Sequence, residues 1–118
     1  MPHDPQKYLY DALEAARLID TFTHGKSLAD YTVDPLLRSA VERQLITLGE
    51  ALGHLARRSP EVAERIENLR RVVAFRNVIV HGYDIVENET VWDVVRRHLP
   101  PLAASLASLL EELDAREG

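Results

Sequence analysis

At 118 residues, with 46% hydrophobic and 28% charged side chains and a formal net charge of −5, the chain is sized for one domain, residues 1–118, with a core of its own. No apolar stretch approaches the roughly 20 residues that a membrane span needs, and a sequence without cysteine excludes disulfides, thiolate nucleophiles and Cys-type zinc sites. The acidic balance argues against a nucleic-acid binder driven by overall charge.

The N-terminal stretch MPHDPQKYLYDALEAARLID turns amphipathic at once and lacks the continuous apolar core of a secretory signal, which predicts a cytoplasmic protein. Asp4-Pro5 reads as an N-cap followed by a first helical residue. Leu9, Ala12, Leu13, Ala16, Ile19 and Phe22 then follow at helical spacing until Gly25. Leu28 to Val33 is the loose stretch before the second helix. That helix is announced by Asp34-Pro35, and Val41, Leu45, Leu48, Leu52 and Leu55 step by four and three, as in a helix packed along its length. It should run to about Arg58.

Ser59-Pro60 opens a short helix or turn through about Ile66, and a third long helix is expected from about Glu67 to His81, stopped by Gly82. Asn88 reads as the N-cap of a last helix carrying Val91, Val94, Val95 and Leu99. Pro100-Pro101 should kink or break it, because each proline removes a donor and clashes with the preceding turn. No segment alternates with period two between turn signals, so the sequence predicts an all-α, up-and-down bundle of four to five helices.

The stretch FRNVIVHGYD, Phe75 to Asp84, breaks the apolar pattern of the third long helix. At about 100° per residue, Tyr83 and Val72 fall within about 40° of Arg76, and Val73, Ile79 and Val80 within about 60°. Arg76 is thus placed in the middle of the apolar face. A guanidinium does not deprotonate, so it must be paired there, lie at a subunit seam, or line a cleft that admits an anion. Asn77 and His81 are one turn apart at the border of that face. An Arg and a His at one cleft can do phosphodiester chemistry without a metal: the imidazole moves protons near neutral pH and the guanidinium holds the phosphate. RNA brings its own nucleophile, the 2′-hydroxyl. The same residues also suit a structural ion pair, with His81 favoured by the dipole at a helix C-terminus.

Arg76-Asn77-Val78-Ile79-Val80-His81-Gly82-Tyr83 resembles the Arg-x4-His-x-Tyr motif of HepT-like proteins in the HEPN superfamily of ribonucleases. AVERQLITLGEAL (Ala40 to Leu52), ETVWDVV (Glu89 to Val95) and the N-terminal helix extend the resemblance over nearly the whole chain. It implies a helical homodimer whose motifs line a shared cleft, acting as a toxin that cleaves RNA, transfer RNA among the targets, with neither metal nor cofactor. On this resemblance His81 would transfer protons, Arg76 would clamp the phosphate and transition state, and Asn77 would orient the site. It also implies an MntA-like nucleotidyltransferase antitoxin as partner, which silences the enzyme by transferring AMP to the motif tyrosine, here Tyr83. Without the family, Tyr83 reads as packing against Val80 and hydrogen-bonding at the helix end. The rival reading of the whole chain is a non-catalytic helical binding subunit for such a nucleotidyltransferase.

Other polar residues leave alternatives. Between Arg57 and Arg76 six arginines face three glutamates. Arg65, Arg70 and Arg71 there could follow an RNA backbone or form a solvated face paired with Glu61, Glu64 and Glu67. Glu50 and His54 have the i, i+4 spacing of a metal half-site without a second pair to complete it. A buried hydrogen-bonding or interface role suits Glu50 better, with Arg43 seven residues earlier sharing the polar seam. Trp92 reads as core or interface packing.

Overall fold

The computed structural model describes residues 5–82 and 86–117. Among these residues every regular element is helical: α1 (Pro5–Thr23), α2 (Leu28–Val33), α3 (Pro35–Arg58), α4 (Pro60–Ala63), α5 (Leu69–His81), α6 (Asn88–Asp93), a π-helical turn (Val94–His98) and α7 (Leu99–Glu117). The expected all-α class holds. The long rods are α1, α3, α5 and the continuous run from α6 through α7, and no helix among the described residues is long and apolar enough to cross a membrane.

The central rod is α3. The Asp34 carboxylate caps it by accepting the backbone N–H groups of Leu36 and Leu37, both at 3.1 Å, and Pro35 sets the first turn. Its residues Val41, Leu45, Leu48, Leu52 and Leu55 are all buried, as their spacing requires. They meet Leu9 and Ile19 of α1 and Leu102 and Leu106 of α7 in one core. α1 lies along α3 and against α7, and α5 packs on α3.

Two expectations are corrected. Leu28 to Val33 is a helix, α2, not a loose stretch: Ser27 Oγ accepts the Asp30 N–H at 3.1 Å and the Asp30 carboxylate accepts the Ser27 N–H at 2.9 Å. This reciprocal cap places Tyr31, fully buried, against Trp92 with ring centroids 5.4 Å apart. Of the kink or break expected at the proline pair, the break is absent: α6, the π turn and α7 run on without interruption. In a regular helix the rings of Pro100 and Pro101 would press on the carbonyls of Arg96 and Arg97. Both of those residues lie in the π turn, where Leu99 N–H bonds Val94 O five residues back, and the wider ladder moves the carbonyls out of register.

Smaller shifts follow from the backbone. α6 begins at Asn88 itself, with Glu87 in the cap position and no side-chain cap bond. α4 ends at Ala63, and α5 begins two residues later than expected because Asn68 takes φ 66°, a left-handed conformation that asparagine tolerates. Asn68 Nδ2 donates to the His98 carbonyl at 3.1 Å, so the start of α5 is tied to the π turn.

Candidate active site

Arg76 stands where α5 crosses α3. Its stem lies directly on Gly49: a Cβ at that position would sit 2.3 Å from Arg76 Cβ and 2.6 Å from Cγ, closer than carbon atoms can pack. The two helices approach here only because α3 has no side chain at this point. The guanidinium then emerges beside Glu50, with Nη2 3.5 Å from the carboxylate, and Nη1 donates to Asn77 Oδ1 at 3.0 Å. Its Nε is buried without a hydrogen-bond partner. The side chain is 27% exposed, so the group expected on the apolar face is a largely covered cation.

The expected face is only partly a core. Leu69 and Val72 of α5 are buried, whereas Val80 is exposed. Asn77 is exposed and bonded to Arg76. His81 is exposed in the last turn, and Gly82, at φ 59°, closes the helix by donating to Val78 O. Tyr83 lies outside the described residues.

Glu50 is exposed, not buried, and its ion-pair partner is Arg76; Arg43 is an exposed residue one heptad earlier on α3. Among the described residues no group of three or more His, Asp and Glu is placed to hold a metal ion; His54 stacks on Tyr8 with centroids 5.5 Å apart and its Nδ1 lies 3.2 Å from Arg57 Nη2. Arg65 is bound to Glu112 through contacts of 2.7 and 3.3 Å. The Arg65 hydrogen bond holds the Glu112 carboxyl below the usual carboxylate range, with Arg65 and Arg116 charges adding to it. Arg70 and Arg71 are exposed on α5.

Sequence reasoning missed Gly49. The signal was present in LGEAL: a glycine inside an apolar helical pattern marks a close approach, but nothing along the chain says that Arg76 is what approaches.

Together these features define a helical-bundle protein with a polar cluster, exposed Glu50 and Asn77 on either side of a partly covered Arg76, at the crossing of two packed helices. Residues 12–109 match the family described as Ribonuclease HepT-like, and the chain belongs to that family. It is 28% identical over 113 residues to the protein of Thermococcus cleftensis named probable ribonuclease HepT, covering 92% of this chain and 98% of that one. A protein of Caldanaerobacter subterraneus subsp. tengcongensis, named as a provisionally assigned RNase, is 24% identical over 108 residues, covering 92% and 96%. A protein of Methanocaldococcus jannaschii, whose name joins gamma-glutamylcyclotransferase to a provisionally assigned RNase, is 29% identical over 116 residues. The alignment takes 97% of this chain and spans about half, 51%, of that relative. No solved structure gives a significant match.

Proposed function

We propose that this chain is a metal-independent endoribonuclease, the toxin of a toxin–antitoxin pair, working as a homodimer with Arg76, Asn77 and His81 at the shared cleft. Family membership and the RNase names of its relatives support the ribonuclease class. The observation that carries the site is the guanidinium of Arg76, held over Gly49, partly exposed and with only a loose, half-exposed carboxylate opposite. A phosphate competes well for such a group, since it offers several acceptor oxygens to a planar fork of donors.

In the reaction the 2′-oxygen of the substrate attacks the neighbouring phosphorus and the bond to the 5′-oxygen breaks. The imidazole of His81 is the proton-transfer group, Arg76 offsets the charge gathering on the phosphoryl oxygens, and Asn77 fixes the guanidinium through its carbonyl oxygen. The products are a 2′,3′-cyclic phosphate and a 5′-hydroxyl. Silencing is by an MntA-like nucleotidyltransferase that places AMP on Tyr83, two residues beyond His81, adding bulk and negative charge where the RNA phosphate must sit.

The test is cleavage of total RNA in EDTA by protein purified without its partner. Wild type is expected to cut and leave cyclic phosphate ends; His81→Ala should lose at least about a hundredfold in rate, the usual worth of a general acid–base group. Failure of unmodified wild type on a range of RNAs, transfer RNA included, would return the chain to the reading of a non-catalytic binding subunit.

A further inference from the structure

Most arginines between positions 57 and 76 are engaged. Arg57 meets His54, Arg65 meets Glu112, and Arg76 meets Glu50 and Asn77; Arg58 also has a partner. Arg70 and Arg71 differ: they are exposed, and among the described residues neither has a hydrogen-bond or ion-pair partner. Both line an open groove of about 750 Å³ between α4 and α5 that has an apolar floor, Ile66 and Val73 included, and Asn77 among its lining residues. Glu64 is the acidic residue in its wall, so two cations face one carboxylate.

The helical repeat continues this groove into the site. Arg70, Ala74, Asn77 and His81 follow one another by four, three and four residues, which sets them in one stripe about 60° wide and about 16 Å long. All four are exposed, and the small Ala74 leaves the middle of the stripe open. A strand whose phosphates rest on Arg70 and Arg71 is therefore led to Asn77, the residue that bonds Arg76.

Resting on the RNA-cleavage reading above, we infer that the α4–α5 groove guides a single RNA strand into the site, with Arg70 and Arg71 holding backbone phosphates beside the scissile one. The occupant is a single strand because an apolar floor beside a cationic edge suits an unstacked base next to its phosphate, whereas a duplex hides its bases.

The test measures binding, not cleavage. His81→Ala protein is titrated with a labelled single-stranded oligoribonucleotide of about 16 nucleotides at several salt concentrations. Each phosphate contact to a single strand contributes about 0.7 to the slope of log affinity against log salt. Adding Arg70→Gln and Arg71→Gln should weaken binding and lower that slope by about 1.4, whereas Arg70→Lys with Arg71→Lys should restore it. Arg17→Ala, an exposed arginine on α1, should leave it unchanged. Where the double glutamine variant does not fold, each single variant is expected to remove about 0.7. An unchanged slope, an equal loss in Arg17→Ala, or no binding by the His81→Ala protein overturns the groove. A lowered slope in a protein whose wild type cuts no RNA would keep the groove and remove the nuclease; cleavage with an unchanged slope would do the reverse.

Discussion

At the scale of single residues, the candidate site depends on an atom that is missing. Gly49 lets the stem of Arg76 lie against the α3 backbone, and a methyl group there would fall 2.3 Å from Arg76 Cβ. The obstacle is the root of a side chain on a packed helix, so α5 itself must move. Alanine gains about 1 kcal/mol over glycine in a helix interior, while overpacking of this kind costs about 1–3 kcal/mol. The overlap is severe enough to win: Gly49→Ala is expected to lower stability by about 1–2 kcal/mol in urea unfolding. Cleavage should fall further than stability, because the residue displaced is Arg76. A variant as active as wild type would show that the crossing has room that the geometry denies. Glu50 contributes differently, since a pair at 3.5 Å with its carboxylate 52% exposed is worth no more than about 1 kcal/mol, and the guanidinium stays available to a phosphate. Arg76 itself was legible, as a cation on an apolar stripe; its partner was not, because Arg43 and Glu50 share a helix and the chain alone favours the local pairing.

At the scale of elements, α3 was legible because a cap and a period agree, and α1 and α5 because a period is followed by Gly25 and Gly82; the Asp4 cap expected for α1 lies outside the described residues. α2 was missed because six residues are too few to show a period, although Ser27 and Asp30 stand three apart in the spacing of a reciprocal cap. The break expected at the prolines is absent because a helix has a second response to them, an added residue in the turn before. α2 also offers a test. Tyr31 is fully buried and its hydroxyl has no hydrogen-bond partner among the described residues. Burial pushes that hydroxyl up to about 12, with Glu42 adding to the rise and Arg38 opposing it. The raised value means that the fold favours the neutral phenol. Its contribution is fully present below the unfolded value near 10, and is lost as pH rises through about 12. Tyr31→Phe removes both an unpaired buried group and its ionisation, and should gain about 1 kcal/mol at neutral pH. The variant should also flatten the fall in stability across that alkaline window, measured by urea midpoints at successive pH values. A loss on substitution would mean that the hydroxyl has a partner, such as a buried water.

At the scale of the whole molecule, the bundle is an elongated slab of 46 × 31 × 19 Å, with the core running through α1, α3 and α7. α5 packs on α3 and leaves an unusual outer surface: Val78 is 48% exposed and Val80 44% exposed, beside the exposed Asn77 and His81. The wheel placed Val80 in an apolar face around Arg76; Val72 of that face is buried and Val73 and Ile79 are partly buried against the core, while Val80 stays open. If the proposed homodimer forms at the C-terminal end of α5, these valines are covered and two motifs meet at one cleft. A stable contact of that kind buries about 1,200–2,000 Å² in total, which two isolated valines do not supply, so the contact must extend past α5 onto other elements and leave the groove at Arg70 and Arg71 free. A charge at its centre would then be desolvated without a partner. Val80→Glu is expected to shift the species seen by light scattering from a dimer to the 13.4 kDa monomer and to abolish cleavage. The urea midpoint of the variant, extrapolated to low protein concentration, should stay close to that of wild type, because position 80 is exposed in the single chain. Two results would count against the dimer cleft: wild type that cleaves RNA while monomeric, or a Val80→Glu protein that remains dimeric and active.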